Sequence, residues 1–217
     1  MQLILKKNNL MNKFRKIFSM FMNDKLALIS IIFLLFMVFL AIFGPSLISE
    51  SYTKMNLRLR NLEPFSFDHH FMYFFGADAL GRSMIARLIL ATQNTMFIAG
   101  SAVILSMTLG GVLGLISGYY GGRTGNLIMR MADIIMSFPS LLLAVIVLYM
   151  FDPGLLNLVI VLAFTRMPIY MRTARAEVLE IRERLFVSAA ISMGASNLRI
   201  IFKHIAPLTI PTLITIC

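Results

Sequence analysis

The chain has 217 residues, of which 59% are hydrophobic and 14% are charged, whereas an average soluble domain has roughly 45–50% and about 25%. This composition predicts a membrane protein. The formal charge is +10, but the basic residues lie between apolar runs and are not interleaved with aromatic residues on a polar surface, so we expect no nucleic acid partner. The single cysteine, Cys217, excludes an internal disulfide and a thiolate metal cluster.

Uncharged runs along the chain predict the membrane spans, because a hydrocarbon layer about 30 Å thick takes about 20 helical residues. We predict a cytoplasmic tail over residues 1–25, a first transmembrane anchor over 26–49 and an external loop over 50–93. A second span is predicted over residues 95–119. The basic start resembles a signal peptide, but the apolar run is too long and no small-residue cleavage site follows it.

The third and fourth runs are less regular. We predict a third span over residues 134–151, which ends at the turn signal Asp152, Pro153 and Gly154. A fourth span is predicted to reach about Arg172, although Arg166 interrupts it and a charge in the membrane is costly unless it snorkels or faces protein. A re-entrant hairpin made by these two runs is the alternative. After His204 the apolar run is too short to cross a membrane.

The distribution of basic residues predicts the orientation. Residues 1–25 carry six basic side chains and one acidic one, and residues 166–203 carry seven and three, whereas the other connecting segments are close to neutral. The positive-inside rule therefore places the N-terminus and the 166–203 segment in the cytoplasm.

Small residues recur every four positions along the second span. Residues four apart share one helical face, and small side chains there let another backbone approach closely in lipid. We therefore predict a helix-packing stripe, which consists of Ala102, Ser106, Gly110, Gly114 and Gly118.

A charged segment over residues 173–204 follows the fourth run. Its apolar residues recur at three and four positions, which is a helical period, and Gly194, Ala195 and Ser196 interrupt them. Ser196 is placed to cap a second helix. We predict two short helices that meet at a bend under the membrane. The spacing alone leaves open whether their apolar face binds a protein or lies on lipid headgroups.

Several motifs, in order, resemble the ABC importer permeases of the oligopeptide, dipeptide and nickel branch. The resemblance is carried by residues 75–82 (FGADALGR), 118–122 (GYYGG), 129–133 (MRMAD), 170–179 (YMRTARAEVL), 186–190 (FVSAA), 194–196 (GAS) and 203–207 (KHIAP). The last four motifs are similar to the coupling loop that docks into a cleft of the ATPase subunit. Ser188 stands where the family usually has a glutamate.

The resemblance implies an all-α, polytopic membrane helical bundle of the type I importer permease fold. It implies a permease transmembrane domain over residues 94–217, with a coupling loop at about 173–204. Family members complete a fifth span and add a sixth, so we expect this chain to be truncated and the bundle to be incomplete. The expected coupling residues are Ala189, Ala190, Gly194, Arg199, His204 and Pro207.

The same resemblance implies the partners and the mechanism. The expected partners are ATPase subunits, a second permease subunit, an external solute-binding protein and membrane lipid. ATP-driven closure of the ATPases would move the coupling helices, and the spans would alternate access for a peptide or a related small solute.

No catalytic constellation, metal site or cofactor site is expected. Asp133 is expected to pair with Arg130 on the same helical face. Adjacent residues point away from each other, so His69 and His70 do not predict a shared metal. The sequence has no Gly-rich loop that ends in Lys and Ser or Thr, so we expect ATP hydrolysis on a separate subunit. The alternatives are a truncated, inactive permease remnant and a membrane scaffold or sensor.

Overall fold

The computed structural model describes residues 24–48, 53–66, 69–151 and 154–216. Most of the predicted N-terminal tail, Asp152 and Pro153 of the predicted turn, and Cys217 lie outside the described residues. By its internal contacts the chain divides into two compact units, Met1–Met96 and Phe97–Cys217. In the described residues every named secondary-structure element is a helix, and none is a strand. The predicted all-α bundle is therefore confirmed.

Helix α1 (Lys25–Phe43) is the first candidate span. Asp24 caps it, because the Asp24 Oδ1 atom accepts hydrogen bonds from the N–H groups of Leu26 at 3.1 Å and Ala27 at 3.2 Å. A 3₁₀ turn, Gly44–Leu47, continues the helix. Together they form an apolar run of 23 residues, which is long enough to cross a membrane.

The connecting segment of the first unit is organised around Asp78. Its carboxylate accepts hydrogen bonds from the N–H groups of Leu80 and Arg82, each at 2.9 Å, and forms ion pairs with Arg82 at 2.8 Å and Arg87 at 2.9 Å. The backbone N–H of Arg82 is the largest cause that lowers the pKa of Asp78 from 3.8 to about 2, and the Arg82 guanidinium adds to it. Asp78 thus holds the FGADALGR motif in one conformation.

Helix α2 (Met84–Tyr120) has 37 residues and begins earlier than the predicted second span. Its first turns contain the polar residues Arg87, Thr92, Gln93 and Asn94. Because these residues are polar, the predicted span began only after them, at residue 95. Hydropathy reports the solvent around a helix, whereas the helix itself needs only the backbone hydrogen bonds and compatible residues.

The predicted third span is corrected, because it is not one continuous helix. Helix α3 (Gly122–Ser137) and helix α4 (Ser140–Met150) are bent by 82° at a break of two residues. Pro139 explains the break: proline disfavours the helical region for the residue before it, and Phe138 has an extended backbone with ψ of 133°. The bent pair is a broken span or a re-entrant loop.

Helix α5 (Leu155–Arg182) has 28 residues and continues through Pro168. It therefore extends ten residues past the predicted end of the fourth span at Arg172, into the segment that we predicted to be separate. Both α3 and α4 pack against α5. The apolar first half and the charged second half of α5 thus form one continuous helix.

Two further helices complete the described chain. Helix α6 (Leu185–Ser192) is short, and helix α7 (Asn197–Thr215) has 19 residues and is long and apolar enough to cross a membrane. The predicted boundary at His204 is corrected, because His204 lies inside α7, within a π-helical turn, Ile200–Ile205. Pro207 explains this turn: it has no N–H to donate, and its ring obstructs regular α-helical bonding to the preceding turn.

Among the described residues, four helices are long and apolar enough to cross a membrane, and the count rises to five if the bent pair is one span. The core of the second unit lies along α2, α5 and α7. Its largest cluster of buried side chains consists of Leu115, Val178, Ile181, Val187, Ala190, Ile200, Ile201 and Ile205. This cluster joins α2 and α5 to α6 and α7.

Candidate functional site

Helix α6, the following turn and the start of α7 form an elbow, which we define as residues 185–199. One face of the elbow is anchored inside the molecule. Val187 of α6 and Ile200, just beyond the elbow, are fully buried, and they pack with Val178 and Ile181 of α5. Full burial of one such aliphatic side chain contributes about 1.5–3 kcal/mol. The elbow is therefore fixed to the end of α5.

The turn of the elbow is a Schellman motif. The N–H of Gly194 donates to the carbonyl oxygen of Ile191 at 2.9 Å, and the N–H of Ala195 donates to that of Ala190 at 3.1 Å. Gly194 has φ of +77°, the left-handed conformation that glycine adopts without a steric penalty at this position. Ala195 packs against the buried cluster. The motif therefore ends α6 and directs the chain into α7.

Polar contacts tie the elbow to the end of α2. The Tyr119 hydroxyl and the Asn197 Oδ1 atom form a hydrogen bond of 2.9 Å. On the other side of the same residue, the Arg182 Nη1 atom donates to the Tyr119 carbonyl oxygen at 3.1 Å. Sequence reasoning assigned no role to these three residues, since neither periodicity nor charge patterning connects residues 63 or 78 positions apart.

The opposite face of the elbow is apolar and exposed. Leu185 is 89% exposed and Met193 is 81% exposed, which is unusual for large hydrophobic side chains when they cluster on one short segment. The other large hydrophobic residues exposed on or beside this face are Phe186, Ile191, Leu198 and Phe202. Arg184, Arg199 and Lys203 are exposed beside them. Such a face can bind an apolar cleft with an acidic rim.

The structure separates the predicted coupling residues. Ala189, Gly194, Arg199 and Pro207 are exposed, and His204 is half-buried. Ala190 is 3% exposed and packs inward against the buried cluster. Ser196 occupies the N-cap position of α7, but its side chain makes no capping hydrogen bond, and the second of the two predicted short helices is the long α7.

The small residues of α2 lie against α5. A Cβ atom added to Gly110 would lie 2.6 Å from the Met167 carbonyl oxygen, and one added to Gly114 would lie 2.6 Å from that of Met171. One added to Gly118 would lie 2.7 Å from the Val178 Cβ atom. These distances are far shorter than van der Waals contact. Ala102 and Ser106, on the same stripe, are 6% and 1% exposed.

One ion pair and additional hydrogen bonds also connect α3 to α5. The Arg172 Nη2 atom lies 2.6 Å from the Asp133 Oδ1 atom, and the Arg175 Nη1 atom donates to the Gly125 carbonyl oxygen at 2.9 Å. The predicted pairing of Asp133 with Arg130 is therefore wrong: the carboxylate is paired across helices. The helix packing, which the sequence alone did not specify, brings Arg172 to Asp133.

No group of three or more His, Cys, Asp or Glu side chains that could hold a metal ion occurs in the described ranges. The His70 Nδ1 atom accepts a hydrogen bond from the Met72 N–H at 3.3 Å. His70 thus caps a local 3₁₀ turn, Phe71–Tyr73.

Two family descriptions match the chain. Residues 110–217 match the binding-protein-dependent transport system inner membrane component, and residues 13–64 match the N-terminal TM domain of oligopeptide transport permease C. The first match includes the elbow and the glycines of the α2 stripe.

Curated relatives match along most of the chain. The dipeptide transport system permease protein DppC of Alkalihalophilus pseudofirmus is 37% identical over 193 residues, which are 89% of this chain and 62% of that protein. The oligopeptide transport system permease protein OppC of Bacillus subtilis is 34% identical over 205 residues, which are 89% of this chain and 66% of that protein. The probable D,D-dipeptide transport system permease protein DdpC of Escherichia coli is 32% identical, with 92% of this chain and 65% of that protein covered. The chain thus spans about two thirds of the length of these relatives.

Proposed function

The chain belongs to the family of binding-protein-dependent transport system inner membrane components of the oligopeptide and dipeptide permease type, and from this membership we propose that it is a permease subunit of an ATP-driven peptide importer. It is a multi-pass inner membrane protein, and its family is a transport permease family. ATP hydrolysis on a separate subunit is part of the proposal. The relatives' printed names, which specify dipeptide and oligopeptide transport, support peptides as the cargo.

The elbow is the observation that carries this proposal. Its anchored face is continuous with the core of α2 and α5, while its exposed face presents Leu185 and Met193 to the surroundings. A rigid segment with one bound face and one free apolar face can receive a push from a partner and pass it to the spans. We propose that the partner is an ATPase subunit and that it contacts Ala189, Gly194 and Arg199.

The remaining partners and the orientation complete the proposal. An external solute-binding protein delivers the peptide, and a second permease subunit completes the pathway in the lipid bilayer. The N-terminus and the elbow lie in the cytoplasm, which agrees with the excess of Lys and Arg on those segments. His204 and Pro207 lie in the middle of α7, beyond the elbow.

Co-purification with the ATPase tests the proposal. In cells that express the complete transporter, we expect the chain to retain an ATP-hydrolysing subunit, and we expect Ala189→Arg to lose it together with peptide uptake. Ala189 is exposed on the free face, so a charge there leaves the core intact. The matched control is Ala176→Arg, at an exposed alanine of α5 outside the elbow. Retention of the ATPase and of uptake by Ala189→Arg would show that the elbow is not the docking surface.

Labelling of the elbow tests its location separately. Cys217 is the single cysteine, so Cys217→Ser provides a background without thiols, and Ser196→Cys places one thiol on the exposed turn. We expect a membrane-impermeant maleimide to react only when the cytoplasmic side is accessible. Reaction in intact cells would place the elbow outside and end the proposed coupling role.

A further inference from the structure

Arg166 is the one charged residue in the first half of α5, residues 155–171. It lies about 16 Å along the helix axis from Leu155, at a rise of about 1.5 Å per residue. For a span that begins at Leu155, this position is near the middle of a hydrocarbon layer about 30 Å thick. A charged side chain at such a depth costs free energy, and in membrane proteins it marks a functional site or a specific partner.

Arg166 has no such partner among the described residues. In the described ranges, none of the ion pairs and side-chain hydrogen bonds involves its guanidinium. The acidic residue of α3, Asp133, is already paired with Arg172 at 2.6 Å. The first half of α5 contains no Asp or Glu. Nothing in the described part of the chain neutralises the charge of Arg166, so this charge can bind a ligand.

Two open cavities of the second unit meet at Arg166. One has a volume of about 350 Å³ and is lined by Ala102 and Ser106 of α2 and by Arg166 and Tyr170 of α5. The other has a volume of about 340 Å³ and is lined by Phe138, Ser140, Thr165 and Arg166 at the bend between α3 and α4. Volumes of this size suit small organic ligands. Among the residues that line either cavity, Arg166 is the charged one.

The chemistry of this arrangement selects the ligand. A guanidinium presents a planar fork of N–H donors that matches a carboxylate, with two parallel charge-assisted hydrogen bonds. The apolar walls beside it suit the side chains of a small peptide, and the hydroxyls of Ser140 and Thr165 can accept or donate. A bare metal cation would be repelled by the uncompensated positive charge.

We infer that Arg166 binds the carboxylate of the peptide cargo as the peptide passes between α5 and the bend of α3 and α4. The inference rests on the proposed function, because it requires that peptides cross this membrane domain. It adds the residue that recognises the cargo and the chemical group that is recognised, and it makes a carboxylate-bearing peptide the preferred substrate over a metal ion.

The test compares two peptides in the assembled transporter, reconstituted in proteoliposomes with its partner subunits and binding protein. One peptide has a free C-terminal carboxylate and the other has a C-terminal amide. Both are used at equal occupancy of the binding protein, which is measured separately. We expect the wild-type transporter to transport the carboxylate peptide in preference to the amide, and we call the ratio of the two transport rates the preference. Arg166→Gln should reduce this preference about 10-fold or more, since hydrogen bonds to a charged group contribute about 1.5–3 kcal/mol. Arg166→Lys should retain part of it.

The controls separate the possible explanations. Arg130→Gln removes another exposed arginine without a partner in the described ranges, one that lines neither cavity, and its preference should equal that of wild type. An unchanged preference in Arg166→Gln would overturn the inference while the proposed function stands. If Arg166→Gln lost transport of both peptides equally, and if this loss depended on the content of anionic lipid, the ligand would be a lipid phosphate. That result would also overturn the inference. Failure of wild type to transport either peptide would instead reject the proposed function.

Discussion

The contact between α2 and α5 gives the sharpest quantitative prediction, because the chain contains its own control. Gly114 and Gly100 both lie inside α2. A Cβ atom at Gly114 would lie 2.5 Å from the Ala174 Cβ atom, whereas nothing lies within 4 Å of one at Gly100. Glycine to alanine raises helix propensity by about 1 kcal/mol at either site. The difference between the two variants therefore isolates the cost of separating the helices.

We expect Gly114→Ala to be less stable than Gly100→Ala by about 1–3 kcal/mol, the usual cost of forcing an extra methyl group into a packed contact. For a chain of this size, 1 kcal/mol shifts the Tm by about 2–4 °C, so the two Tm values should differ by roughly 2–12 °C. The chain has no Trp, so circular dichroism of the detergent-purified variants is the suitable probe. Equal Tm values would refute the close approach of α2 to α5.

Three further predictions concern the turn of the elbow, the ion pair between Asp133 and Arg172, and the stability of the protein at acid pH. Gly194→Ala should lose about 1–2 kcal/mol of unfolding free energy in the same melts, because the left-handed backbone penalises a Cβ atom although the site is open. Gly194→Asn should lose less, since asparagine tolerates this conformation. Equal losses in the two variants would contradict the backbone explanation. In a double-mutant cycle, Asp133→Asn and Arg172→Gln should couple by about 0.2–1 kcal/mol, because the two side chains are 59% and 51% exposed; a coupling several times larger would indicate a buried pair. The pKa of Asp78 is lowered from 3.8 to about 2, so its contribution to stability is complete above pH 3.8 and is lost as the pH falls through about 2. The stability difference between wild type and Asp78→Asn should therefore shrink over that range in acid unfolding, and a difference that is independent of pH would show that the carboxylate charge is not involved.

The sequence predicted the features that depend on local residue patterns. The anchor of α1, the bend around Gly194 and the all-α bundle follow from apolar length, from glycine conformation and from helical period. The sequence misplaced features that depend on the path of the chain in space. Neither the pairing of Asp133 with Arg172 nor the hydrogen bond between Tyr119 and Asn197 has a local signal, since the partners lie 39 and 78 positions apart.

Hydropathy also misled the prediction of helix ends. Charged residues ended the predicted fourth span near Arg172, but α5 continues to Arg182 because alanine, glutamate and arginine are good helix formers in water. At Pro139 the error was opposite: uniform apolarity predicted one span, whereas the restriction that proline places on Phe138 breaks the helix. Apolar content and backbone continuity are separate properties, and a window of hydropathy reports only the first.

The packing of α5 explains how the elbow and Arg166 can act together. Between Arg166 and Arg182 the helix is unbroken and about 24 Å long; the elbow is anchored at one end, and the glycine contacts hold α2 along its side. In the proposed coupling, a displacement of the elbow would therefore move α5 and the attached part of α2 as one body. The cavity lined by Ser106 and Arg166 lies between α2 and α5 and would keep its shape, whereas the cavity at Phe138 and Ser140 borders the break between α3 and α4. Because a broken helix yields more readily than a continuous one, we expect the proposed movement of the elbow to change the surroundings of the Arg166 charge at the second cavity.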